Sequence, residues 1–156
     1  MNTGVGTHMN RALGLHRVAH LLTNRGRCGR FGAQWVFKVG KVLTASDIHP
    51  MASISASVRM PHPTGVVIGE TATIGADTVV MPGVVIGSKF QSSGKRHADI
   101  GVGVFIGAGA KILGPIRIGD GAVIGANSVV LEDVPDGITV VGVPSRAVPV
   151  RQADTR

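Results

Sequence analysis

From Ile48 onward the aliphatic positions recur every six residues. Ile48, Ile54 and Met60 form a first run, and Ile68, Ile74, Val80 and Ile86 a second. Ile100, Ile106, Ile112, Ile118, Ile124 and Val130 form a third. Glycine follows many of them, at 69, 75, 87, 101, 107, 119 and 125. Helices repeat near 3.6 residues and strands at 2, so neither explains a period of six. Hexapeptide repeats are the signature of a parallel β-helix. Each hexad predicts one short flat strand plus a turn, and three hexads one triangular coil. The aliphatic side chain points inward and stacks on its equivalent one coil away, while small residues let the chain turn the corner.

The register slips twice. Met60 and Ile68 are eight residues apart, so two extra residues bulge near Pro61-His62-Pro63. Ile86 and Ile100 are fourteen apart, which expels eight residues as an excursion loop within 87–99. Both slips carry a histidine, and loops on a rigid scaffold are where function concentrates. Before the coils the pattern changes. Leu15, Val18, Ala19 and Leu22 have helical spacing, and Gly26 and Gly29 punctuate the stretch after them. Residues 11–46 are therefore expected to form one or two short helices capping the first coil. Residues 1–10 are expected to be disordered, 47–135 to be the β-helix, and 136–156 a closing turn, strand and tail.

Composition sharpens this picture. The 156 residues suit one domain. Aromatics make up 3% of the chain and tyrosine is absent, so the core must be aliphatic. No apolar run approaches the roughly 18 residues of a membrane span. The single Cys28 excludes an internal disulfide framework, and a cytoplasmic location is expected. The net charge of +7 comes entirely from residues 1–46, which hold seven basic side chains and no carboxylate. That segment matches no nucleic-acid-binding motif, so no nucleic-acid partner is expected.

Several stretches together resemble the serine acetyltransferases of the hexapeptide-repeat acyltransferase class. They are DIHP at 47–50, HPTGVVIGETATIG at 62–75, GKRH at 94–97, IGAGAKILGPIRIGDGAVIGANSVVLEDVP at 106–135 and VVGVPSRAV at 140–148. HRVAHLLTNRG at 16–26 resembles the last helical part of that family's N-terminal domain. The resemblance implies a left-handed β-helix, an acetyl-CoA-dependent O-acetyltransferase activity, and a homotrimer with sites in the clefts between adjacent copies.

It also implies roles. Acetylating an alcohol with a thioester requires deprotonating the hydroxyl, stabilising the tetrahedral oxyanion and holding both substrates together. His62 matches the family's catalytic base, and Asp47 the carboxylate that orients it. Arg96 and His97 match the pair that binds the acceptor, with Arg96 suited to a bidentate contact with a carboxylate. Gly87, Gly107, Ala108, Gly109, Ala110 and Lys111 are similar to the coenzyme A cleft, and Lys89 is a further candidate for its phosphates. His49 is expected to be structural. Cys28 falls in the helical cap, so direct transfer fits better than a covalent intermediate.

The chain departs from the family in places. Pro61 stands where the family carries an aspartate before the catalytic histidine, and most of the long helical domain is missing. These losses weaken the pairing of a serine ammonium. Serine is the expected acceptor, with a sugar hydroxyl as the alternative. The ending DTR lacks the terminal isoleucine used for docking to cysteine synthase, so that complex is not implied. A three-histidine zinc site, as in γ-class carbonic anhydrases on this scaffold, would need a third histidine after His97. None follows, and no metal is expected.

Overall fold

A computed structural model describes residues 11–23, 26–90 and 93–148. Residues 1–10, expected to be disordered, lie outside the described residues.

The expected parallel β-helix with a helical cap is present. Strands of two or three residues form three sheets, which are the three faces of a prism. Ile48, Ile68, Ile86, Ile112 and Val130 pair in register along the first face. Ile54, Ile74, Ile100 and Ile118 do so along the second. Val80, Ile106, Ile124 and Val140 line the third. Ile68 and Ile86 are 18 residues apart, one full coil. Ile48 and Ile68 are 20 apart, and Ile86 and Ile112 are 26 apart. The two slips therefore leave the ladders in register on either side.

A second interior ladder lies two residues before the first. Ala52, Val58, Val66, Ala72, Val84, Ala98, Val104, Ala110, Ile116 and Ala122 are all buried, as are Thr78 and Ser128. The polar members are satisfied. Thr78 Oγ1 donates to the Gly101 carbonyl at 3.0 Å, and Ser128 Oγ accepts from the Gly142 amide at 3.1 Å. The triangular interior is thus filled by two small or aliphatic side chains per hexad, which is why aromatic bulk is not needed.

The edge that leads into the first face is built by left-handed residues. Ala45, Gly65, Gly83, Gly109 and Asn127 all have φ between 51° and 72°. Their amides climb the edge coil by coil. Gly65 donates to the Ala45 carbonyl, Gly83 to Thr64, Gly109 to Pro82 and Asn127 to Ala108, at 2.7–3.0 Å. Glycine at this bend avoids the Cβ penalty. At Gly109 a Cβ would also sit 2.1 Å from the Asn127 side chain.

The cap consists of two helices, α1 (Arg11–Thr23) and α2 (Gly26–Thr44). Two details differ from the sequence expectation. The second helix is 19 residues long rather than short, and Gly26 and Gly29 lie within it instead of breaking it. Gly40 of α2 lies against Leu15 of α1, at a spacing where a Cβ would make ordinary contact at 3.4 Å. The cap is fastened to the first coil by Arg17, which donates to the Ala56 carbonyl at 2.6 Å. His20 Nδ1 donates to the Pro50 carbonyl at 2.8 Å. After the last hexad, Thr139–Val141 continues the third face in parallel, and Arg146–Val148 turns back antiparallel against it.

His16 on α1 is 6% exposed and helps line the narrow space between α1, α2 and the first coil. Burial, then the neighbouring His20, lowers its pKa to about 4. The folded pKa lies below the unfolded value, so the unfolded chain takes up the proton first. Stability from this group is complete above pH 6.5 and is lost as pH falls toward 4, by about 3 kcal/mol in total. His16→Leu should flatten the urea-midpoint profile between pH 6.5 and 4; an unchanged slope would contradict the assignment. In the ladder, Ile112→Ala removes a fully buried side chain between Ile86 and Val130. It should cost roughly 2–5 kcal/mol in equilibrium unfolding.

Candidate active site

The register places the candidate residues on two edges of the prism. On the edge leading into the first face, the second coil passes from Val80 to Gly83 with only Met81 and Pro82 between. The first coil has Pro61, His62, Pro63 and Thr64 between Met60 and Gly65. The two extra residues have nowhere to go but outward, and His62 is exposed at their centre. Prolines on both sides restrict the backbone that carries it. Asp47 opens the first strand of the same face and pairs in register with Val67. Gly107, Ala108, Gly109 and Ala110 turn the same edge two coils further on, and Lys111 begins the next strand.

Asp47 is not hydrogen-bonded to His62 among the described residues. Its carboxylate is held instead by Lys41 Nζ at 2.5 Å, from the end of α2. Both groups are substantially exposed, so the pair is weak and exchangeable. Lys111 Nζ donates to the carbonyls of Gly83 at 3.0 Å and Gly109 at 2.9 Å, stapling successive corners of this edge. Lys89 donates to the Leu131 carbonyl and lies over Gly114, on the next edge.

That next edge, leaving the first face, carries the excursion loop. Gly87 ends a first-face strand there, and Arg96 and His97 lie at the loop's return. The two groups of residues are thus separated by the width of the first face, about 10 Å for a three-residue strand. One chain carries His62, Asp47 and the Gly107–Lys111 stretch along one edge, over successive coils. It carries Gly87, Arg96 and His97 on another.

His97 is 6% exposed and firmly held. The Thr71 amide donates to Nδ1 at 3.2 Å, which makes Nδ1 an acceptor and puts the proton on Nε2. Thr71 Oγ1 lies 2.9 Å from Nδ1 and accepts the amides of Arg96 and His97, both at 3.1 Å. Burial, and then the Arg96 charge, lower the His97 pKa, while Glu70 opposes them. The ring is therefore a neutral Nε2–H donor at neutral pH. Arg96 is bonded to the Glu70 carboxylate. Lys95 binds Asp99 at 2.5 Å and the Thr71 carbonyl at 2.6 Å, which anchors the loop's base. His49 packs its ring 6.2 Å from that of Phe37 and accepts the Met51 amide at 3.2 Å. Glu70 and Thr71 were missed as site residues in the sequence, although both stand inside the GETATIG stretch at 69–75.

With the geometry established, comparison with known proteins decides the family. Residues 97–132 match the bacterial transferase hexapeptide (six repeats) family, and 65–89 match the hexapeptide repeat of succinyl-transferase. The stretch between them, 90–96, falls within the excursion loop. Serine acetyltransferase of Mycobacterium tuberculosis is 49% identical over 133 residues, covering 85% of this chain and 57% of that protein. The chain belongs to the serine acetyltransferase family. Soybean serine acetyltransferase complexed with serine matches with a TM-score of 0.84 and 48% identity, over 88% of this chain and 56% of that one. The Brucella abortus serine acetyltransferase in complex with coenzyme A gives 0.84 and 42%, over 88% and 54%. This chain thus spans little more than half the length of these relatives.

The support of His97 yields a test. A Cβ on Gly69 would lie 2.0 Å from His97 Nε2, so Gly69→Ala must expel the ring. In an NMR titration the wild-type imidazole should titrate below its ordinary value, and in Gly69→Ala it should move up toward about 6.5. Identical titration curves would contradict the packing described.

Proposed function

We propose that this chain is an acetyl-CoA-dependent O-acetyltransferase acting on serine. Its site is completed when the edge bearing His62 meets the edge bearing Arg96 of a neighbouring copy in a homotrimer. The observation that carries this reading is that His62 lies on one edge of the prism and Arg96 and His97 on another, which supports a site shared between copies. The 49% identity to a serine acetyltransferase supports the acceptor class. Among the described residues, no helix is long and apolar enough to cross a membrane.

In this mechanism the acceptor hydroxyl approaches exposed His62, whose imidazole takes its proton as the oxygen attacks the thioester carbonyl. Asp47 turns from Lys41 to the imidazole and stabilises the charge that forms there. The C–O bond forms, the tetrahedral intermediate collapses, and the C–S bond breaks. His62 returns its proton to the leaving coenzyme A thiolate, so no other reactant is consumed. Gly107, Ala108, Gly109 and Ala110 present a flat backbone edge against which an extended pantetheine arm fits, while Lys111 keeps that edge rigid. Gly87, also matched to the coenzyme A cleft, lies on the edge of the acceptor pair and would complete that cleft from the neighbouring copy. Arg96 takes the acceptor carboxylate, and the neutral His97 supports it. A sugar hydroxyl is the second reading, favoured by Pro61 standing where the family has an aspartate.

Coenzyme A release from acetyl-CoA, measured with L-serine against a panel of sugars and nucleotide sugars, separates the two. The reading predicts release with serine; release with a sugar alone would replace serine as acceptor. His62→Ala should lower kcat by roughly 10²–10⁴-fold while leaving the calorimetric Kd for coenzyme A within about threefold. Near-normal turnover in that variant would remove His62 from the mechanism.

A further inference from the structure

Helix α2 carries an apolar row that no other described residue covers. Phe31, Trp35, Val39, Val42 and Leu43 recur at helical spacing along one side and are 47–83% exposed. The docked side is the opposite one, where Val36, Phe37, Gly40 and Thr44 turn toward α1 and the first coil. The row therefore points away from the β-helix. At its start Phe31 and Trp35 meet edge to face, with ring centroids 6.4 Å apart. An unbroken row of this kind is a patch on the order of several hundred Å², a size that marks an interaction site.

Charge decides which surface it fits. Helix α2 holds Arg27, Arg30, Lys38 and Lys41 and no carboxylate, and α1 holds Arg11 and Arg17 and none. Exposed Lys38 and Lys41 follow one flank of the row. The acidic groups they face belong to the coils: Lys41 pairs with Asp47, and Lys38 borders the open cleft beside Glu70. A second copy would set one cationic cap against another, which repels. The row is also a convex ridge, because the cavities that α2 lines lie on its coil side. It offers a protein partner no pocket.

An anionic lipid surface meets both features. Its phosphates attract the cations, and its interfacial layer takes Trp, Phe, Val and Leu with no demand for matching shape. Basic residues beside an apolar face bearing Trp and Phe characterise a helix that lies in the plane of a bilayer interface. No helix among the described residues is long and apolar enough to cross one.

We propose that the outer face of α2 is a docking surface for an anionic phospholipid bilayer, which holds this chain peripherally with its β-helix in water. The proposal goes beyond the acetyltransferase reading and does not depend on it.

Trp35 is the single tryptophan, so its fluorescence reports the ridge directly. The full chain is mixed with vesicles of phosphatidylglycerol or of phosphatidylcholine and followed by flotation and by Trp35 emission. With phosphatidylglycerol it should float, its emission should shift to the blue, and acyl-brominated lipid should quench it. Binding to phosphatidylcholine should be weaker by about tenfold or more. The double variant Val42→Gln, Leu43→Gln leaves the charge unchanged at two exposed positions. It should weaken phosphatidylglycerol binding by about tenfold or more, with the thermal midpoint unchanged.

No flotation with phosphatidylglycerol would overturn the proposal. Flotation with an unshifted, unquenched Trp35 would overturn it too, since charge alone would then hold the protein. An equal Trp35 response to soluble polyglutamate would replace the bilayer with an acidic polypeptide. Copies that separate in the double variant without lipid would make the ridge a contact between copies and sink the proposal.

Discussion

The structure depends on one constraint, the in-register stacking of aliphatic side chains from coil to coil. Parallel strands repeat at about 4.8 Å, so an isoleucine one coil away lands directly on its equivalent, and a slip of one residue would turn it to solvent. Ile68, Ile86, Ile106, Ile112, Ile118 and Ile124 all sit at 0–1% exposure because of this. The ladder has no room for an insertion, and any extra residue must leave at a corner. His62 is pushed out by two such residues, and Arg96 and His97 return from an excursion of eight. The stacking rule that builds the core also decides where chemistry is displayed.

The two displayed groups differ in their electrostatic setting. His62 stands in solvent between two prolines. His97 is packed over Gly69, accepts from Thr71 and faces Arg96, and these hold it neutral. One histidine is thereby open to solvent, while the other is fixed by its packing. The positive cap adds to this arrangement. Lys41 from α2 reaches Asp47, and Lys38 lines the cleft beside Glu70. Helix α2 thus reaches toward both groups of charged residues without belonging to the β-helix.

Much of the fold was legible because its signal is local and periodic. The hexad runs located the three faces and both slips, and the slips located the histidines. The second buried ladder, with Ala, Val, Thr and Ser at its positions, was not apparent, since small residues in it resemble turn residues. The length of α2 was hidden by Gly26 and Gly29, which read as punctuation although both lie within the helix. The partners within the site were hidden for a different reason. Arg96 meets Glu70, and His97 meets Thr71, across 26 residues, a separation set by one coil plus the excursion. Nothing in the local sequence marks such a pair. Likewise the Lys41 contact of Asp47 joins the cap to the first coil, which helical spacing alone does not reveal.

The central claim is that His62 and Arg96 act together although one chain holds them on separate edges. Co-expressing His62→Ala with Arg96→Ala, each inactive when made alone, tests it directly. If adjacent copies of a trimer supply the two groups, random mixing rebuilds roughly one site in four with both intact, and about a quarter of wild-type serine acetylation should return. Activity no greater than that of the separate variants, in mixed trimers that still bind coenzyme A, would contradict the account.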